Sequence, residues 1–141
     1  MNRVIIDTGF WRAIYDSQDD YHKISVKISE RIINSREYRL VVPFPTMYEL
    51  LRTEFVKRKI ALQNIDKIIK DISRVDLIYD EQYRDKAYSE MITTKRNLSF
   101  VDCIVRAMLD DATLNIKGLI TFNNGDFDDI CRKKRIELIC Y

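Results

Sequence analysis

Val4-Ile5-Ile6-Asp7-Thr8-Gly9 is the stretch on which the fold of this chain turns. Three consecutive large aliphatics form a continuous apolar run, not an alternating one. That is the pattern of a strand covered on both faces, as in a parallel sheet. The carboxylate that follows then sits at the rim of a core, where an isolated charge is costly without a partner. Asp-Thr-Gly also suits a local turn with Thr8 bonding to its own backbone, so the acid has a structural reading as well.

Similar runs recur at residues 40–42, 75–78, 119–121 and 136–139. Between them lie segments with helical periodicity: Ile24, Ile28, Arg31 and Ile32; then Tyr48, Leu51 and Phe55 with Ile65, Ile68, Ile69 and Ile72. Two further stripes follow, Tyr88, Met91 and Ile92, then Val101, Ile104, Val105, Met108 and Leu109. With only 3 Gly and 2 Pro in 141 residues, the chain favours helices joined by short connections over an all-β sandwich. The expected order is strand, helices, strand, two helices, strand, two helices, strand, helix, strand. Such alternation reads as an α/β fold, a parallel sheet with helices on both faces, in one domain spanning 1–141. Ligand sites in these sheets lie beyond the carboxyl ends of the strands, where strand order reverses. Asp7 ends the first strand and Asn123 and Asp126 follow the fourth; if those strands are neighbours, their acids face one crevice.

Composition removes several function classes. A formal charge of +2 does not announce nucleic-acid binding, although basic residues gather locally at Arg52, Lys57-Arg58-Lys59, Lys95-Arg96 and Arg132-Lys133-Lys134-Arg135. Cys103, Cys131 and Cys140 form no C-x-x-C pair and His22 is the sole histidine, so neither a structural zinc site nor a disulfide framework is expected. Reduced thiols fit a cytoplasmic protein. No secretory signal is recognisable in the opening residues, and no apolar stretch approaches the roughly 20 residues of a membrane span. His22 is expected on the surface, which leaves a Ser-His-Asp or Cys-His mechanism without support.

Glu49 and Asp102 join Asp7 and Asp126 as candidate site residues, and each has a bland alternative. Thr46-Met47-Tyr48-Glu49 has the form of a capping box, with Glu49 near a helix start. Ser99-Phe100-Val101-Asp102 has the same form with Asp in place of Glu, and Asp126 before Phe127 suits an N-cap. Together they would do something else. Hard divalent cations take oxygen ligands, and clustered carboxylates repel until a cation neutralises them. A bound cation would polarise a phosphodiester and lower the pKa of a water, so no side-chain nucleophile is required.

The order of these segments resembles the PIN domain family, and the chain's size resembles the VapC toxins of VapBC toxin–antitoxin modules. Val4-Ile5-Ile6-Asp7-Thr8 resembles the family's first acidic motif. Pro45-Thr46-Met47-Tyr48-Glu49-Leu50-Leu51-Arg52 resembles the second, Leu98-Ser99-Phe100-Val101-Asp102 the third, and Thr121-Phe122-Asn123-Asn124-Gly125-Asp126-Phe127 the fourth. The resemblance implies a three-layer α/β/α fold whose five-stranded parallel sheet has the order 3-2-1-4-5. It implies a magnesium- or manganese-dependent endoribonuclease leaving a 5′-phosphate, with Asp7, Glu49, Asp102 and Asp126 as catalytic metal ligands. Thr8, Ser99, Thr121 and Asn123 would support them by hydrogen bonds. Asn123 stands where some members carry an acid, so either it or Asp126 completes the set.

An acidic site cleaving a polyanion needs cations at its rim, and Arg52, Lys95 and Arg96 are the candidates. Arg52 is expected one turn below Glu49 on the same helix. The run Arg132 to Arg135 reads better as complement to a helix C-terminus. Among Phe10, Trp11, Tyr15 and Tyr48, which could stack on unpaired bases, Phe10 and Tyr48 are expected in the core. The resemblance further implies a homodimer and a VapB-like antitoxin, and the helix pair over 55–72 is where an exposed apolar patch is sought. Two alternatives stay open: a PIN-type nuclease of RNA processing without an antitoxin, and a catalytically silent PIN-like module that only binds RNA or protein. A haloacid-dehalogenase phosphatase is excluded, because position 9, where its second Asp would stand, is Gly.

Overall fold

The computed structural model describes residues 1–140; the last position of the expected domain, Tyr141, lies outside the described residues. Five parallel strands form one sheet: β1 (Asn2–Ile6), β2 (Tyr38–Pro43), β3 (Val75–Ile78), β4 (Ile116–Ile120) and β5 (Glu137–Ile139), in the order β3-β2-β1-β4-β5. The helices are α1 (Thr8–Ile14), α2 (His22–Ile28), α3 (Phe44–Leu50), α4 (Thr53–Val56), α5 (Lys59–Lys70), α6 (Arg84–Thr93), α7 (Phe100–Asp110) and α8 (Asn124–Lys134). A π-helical turn, Ser29–Ile33, extends α2 and buries Ile32 beside Ile28. The chain leaves β1 toward one edge of the sheet and returns to the other side at β4. The reversal therefore lies between β1 and β4, as the family resemblance implies.

The unbroken aliphatic runs are explained by two cores, one on each face. Ile5, Val41 and Leu119 point to a core closed by Tyr83 and Ala87, Cys103 and Met108 of α7, and Phe127 and Cys131 of α8. Their neighbours Val4, Ile6, Leu40, Val42 and Ile120 point oppositely, onto Phe10, Trp11, Ile28, Leu50 and Ile65. Strand side chains alternate between faces, so a strand buried on both must be apolar throughout. Gly118 permits a close approach within β4. A Cβ there would stand 3.2 Å from Ile139 and 3.3 Å from Val4 on the flanking strands.

Several local expectations are corrected. Three helices, not two, join β2 to β3, because the chain breaks at Leu51 and restarts as the short α4. Glu49 lies in the last turn of α3, not its first: the helix begins at Phe44, with Pro45 in the first turn where its missing N–H costs nothing. The capping-box reading of Glu49 therefore fails. Arg52 is not on the helix of Glu49; it is the extended residue before α4. Tyr48, expected in the core, is 73% exposed and meets Phe44 edge to face. Tyr88 and Ile92 are exposed too, since α6 turns Ala87 to the core. His22, expected on the surface, is half-buried at the start of α2, with Nδ1 2.7 Å from the Ala13 carbonyl. Asp126 is not an N-cap. Asn123 occupies that position without a side-chain cap bond, and Asp126 sits in the first turn.

The three cysteines are free, with Cys103 and Cys131 buried and their thiols pushed up to about 11, chiefly by burial. Among the described residues, no helix is long and apolar enough to cross a membrane. Over 55–72, Phe55 and Ile65 are buried, whereas Ile60 and Ile72 are exposed.

Candidate active site

Asp7 is delivered to the reversal point by the sheet itself. Its N–H continues the β1–β4 ladder by donating to the Ile120 carbonyl at 2.9 Å, so the next residue enters α1. Its carboxylate is 7% exposed and accepts two bonds: Thr8 N–H on Oδ1 at 2.9 Å and the Thr121 hydroxyl on Oδ2 at 2.9 Å. Thr121 Oγ1 also accepts from Asn123 N–H at 3.0 Å, tying the fourth motif to the first.

Thr8 ties in the second motif, donating its hydroxyl to Glu49 Oε1 at 2.7 Å. The α3 end carrying Glu49 is held again by Arg12, whose Nη2 donates to the Glu49 carbonyl at 3.0 Å. Ser99 caps α7, its Oγ accepting from Asp102 N–H at 3.0 Å. Half of the capping reading of this acid therefore holds. A carboxylate in the first turn is favoured there by the helix dipole, whatever else it does.

Electrostatics couples the four acids. Burial drives the Asp7 carboxyl up to about 6, against the downward pull of Thr121 and Thr8, and the charges of Asp102 and Glu49 add to the rise. Asp102 is also raised, chiefly by burial, then by the charges of Asp126 and Glu49 against the opposing Ser99 bonds. Within the fourth motif, the charge of Asp126 reaches Asp102, while Asn123 is neutral and exposed. Among the described residues, none of the four carboxylates forms an ion pair. Nor do three His, Cys, Asp or Glu side chains there approach closely enough to hold a metal ion as they stand. The set is nonetheless all oxygen, partly desolvated and without an ion-pair partner. In chemistry it fits a hard divalent cation.

The predicted rim residues divide. Arg52 lines an open cavity of about 670 Å³ beside Glu49, together with Arg12, Asp16, Asp19 and Arg58. Arg96 reaches the fourth motif, with Nη1 3.2 Å from Asp129 and Nη2 on the Gly125 carbonyl, while Lys95 is exposed. Arg132 pairs with Asp128 and Lys134 with Asp110, so that run serves its own helix surroundings. Phe10 and Trp11 are core residues, and Tyr15 meets Phe55 edge to face. Two contributors went unread in the sequence. Arg12 is one turn beyond Thr8 on α1, a spacing that could have exposed it. Arg106, buried on α7, bonds groups distant in sequence and carries no local signal.

The fold has relatives of known structure. The VapC20 toxin of Mycobacterium tuberculosis, which cleaves the sarcin–ricin loop, superposes with a TM-score of 0.68 at 15% identity, over 89% of this chain and 94% of that one. VapBC2 of Rickettsia felis, solved with a DNA fragment from its promoter, gives 0.60 at 12% identity, over 99% and 98%. At such identities the likeness is one of fold. No curated protein sequence matches. The family's sequence model, however, matches residues 4–133, from β1 through most of α8 and across all four acidic motifs. The chain belongs to the PIN domain family.

Proposed function

We propose that this chain is a metal-dependent endoribonuclease, the VapC-type toxin of a toxin–antitoxin pair acting in the cytoplasm. Family membership and the fold shared with VapC20 and VapBC2 support it. The observation that carries it is Asp7: a buried carboxylate pushed up to about 6 at the reversal of the sheet, with Glu49 and Asp102 as its charged neighbours and no cation paired to it. A structural acid in such a place would be expected to have found an arginine.

Asp7, Glu49, Asp102 and Asp126 would hold magnesium or manganese, which when bound supplies an activated water and charge stabilisation at the phosphate. Thr121 and the Thr8 amide orient Asp7, and the Thr8 hydroxyl orients Glu49, so two ligands are set by one residue. Ser99 sets the first turn of α7 and with it Asp102. Asn123, whose N–H is spent on Thr121, orders the turn into α8. Arg52 and Lys95, both exposed, and Arg96 beside α8 would hold flanking phosphates of the RNA substrate. A VapB-like antitoxin and a second copy of the chain complete the proposed assembly.

RNA cleavage by the purified wild type and by Asp7→Asn, each with magnesium, manganese or EDTA, tests this reading. Cleavage is expected only from the wild type with metal. Cleavage in EDTA, or by a folded Asp7→Asn variant, rejects it.

A further inference from the structure

A second charged cluster lies one helical turn past Asp102. Arg106 on α7 is 7% exposed, and its guanidinium makes five contacts. Nε donates to Glu90 Oε1 at 2.9 Å and Nη2 to Glu90 Oε2 at 3.2 Å, reaching back to α6. Nη1 and Nη2 donate to the two Asp129 oxygens at 2.7 and 2.8 Å, a bidentate pair on α8. The remaining bond goes from Nη1 to the backbone carbonyl of Asp126 itself, at 2.8 Å. Arg96 adds to the same turn through Asp129 and the Gly125 carbonyl.

The cation stabilises the acids it meets, but a charged cluster is not the only way to pack this place. Well-packed apolar residues often replace a buried ion pair without loss. What a guanidinium adds is direction. Its planar fork fixes the start of α8 in angle as well as distance, which a methionine or leucine cannot do. The clamped turn is the one bearing Asp126, and the clamping residue stands four positions beyond Asp102.

We propose that Arg106 is a positioning residue for the fourth acid, holding the first turn of α8 so that Asp126 faces Asp102 across the crevice. This rests on the proposed metal-dependent reading. Asp126 belongs to the ligand set there, and Arg106 touches neither metal nor substrate.

The experiment measures manganese binding by calorimetry in wild type, Arg106→Lys, Asp129→Asn, Asp126→Asn and the Arg106→Lys/Asp126→Asn double variant, with circular dichroism for folding. Arg106→Lys keeps the charge and loses the fork. It is expected to weaken manganese binding about tenfold, the lower end of what supporting groups around a metal contribute. In the Asp126→Asn background the same change is expected to add nothing, because its target is gone. Magnesium activation of cleavage should move to higher concentration in parallel. Unchanged manganese affinity in Arg106→Lys overturns the proposal, and so does a loss that simply adds to that of Asp126→Asn. Should Arg106→Lys fail to fold, Asp129→Asn decides by the same criterion. If the wild type itself binds no manganese, the metal-dependent reading fails and this one with it; if it binds and the variants match it, only the positioning role fails.

Discussion

Helix α7 carries two electrostatic regimes one turn apart. At Asp102 the surrounding charges are acids, and its carboxyl is held above its usual range. At Arg106 the partners are Glu90 and Asp129, and Asp129 is held far below the carboxylate range, mainly by its bonds to that guanidinium. Helix α8 repeats the division three residues apart, with the charge of Asp126 felt by Asp102 and Asp129 bonded into the clamp. Asp76 on β3 belongs with the clamp, being bonded by both Arg3 and Arg39. Aspartate therefore does opposite work according to its partners. Where arginine meets it, its charge stabilises the fold. Where acids meet it, its charge opposes the fold and remains available for a cation.

The largest contrast is expected at Asp7. Its folded carboxyl is pushed up to about 6 from 3.8, so at neutral pH the ionised form costs about 3 kcal/mol as an order of magnitude. Asp7→Asn is therefore expected to abolish cleavage and yet raise the stability of the metal-free protein by up to that amount in urea unfolding at pH 7.5. Between pH 4 and 6 the folded wild type holds a proton that the unfolded chain has released. Its unfolding free energy should fall as pH rises through that window and level off above it. The variant should lack that slope. An Asp7→Asn protein less stable than wild type at pH 7.5 would place Asp7 with the structural acids instead.

Arg106→Met reverses the sign. It leaves Glu90 without its cation and Asp129 with Arg96 alone. Both retain some access to water, at 36% and 55% side-chain exposure, so the loss is expected near 2 kcal/mol, below that of a fully buried broken pair. A melting temperature lowered by roughly 6 °C would show it. No drop, or a rise, would mean that the clamp does not carry the stability its geometry suggests.

The sheet was legible because burial on both faces demands a signal that local sequence can carry, as in Val4-Ile5-Ile6 and Leu119-Ile120. Asp7 was legible for the same reason, standing where that signal stops. Glu49 was located by family resemblance but misplaced within its helix. Thr46-Met47-Tyr48-Glu49 imitates a capping box, while the true start at Phe44-Pro45 looks like a turn. Arg52 followed the same error, since nothing local marks Leu51 as the helix end. Tyr48 and His22 failed for a different reason: exposure of a residue with an apolar body and a polar tip is decided by what packs over it. Arg106 was invisible altogether, because its partners lie 16 and 23 positions away and its place among Val105, Ala107 and Met108 reads as a core stripe.

Glu49 gives the smallest stability effect and the finest test of the comparison. With the helix starting at Phe44, its carboxylate has no capping duty, and its bond from Thr8 Oγ1 is one that a glutamine carbonyl oxygen can accept equally well. Glu49→Gln removes the charge while keeping that contact and the packing around it. The unfolding free energy is expected to stay within about 0.5 kcal/mol of wild type. On the proposed reading, in which Glu49 is a charged metal ligand, cleavage is expected to fall by up to about a hundredfold. A variant that melted lower and cut normally would make Glu49 a structural acid like Asp129. One that melts like wild type and cuts poorly sets Glu49 beside Asp7, among the acids whose charge, on the proposed reading, serves a cation and not the fold.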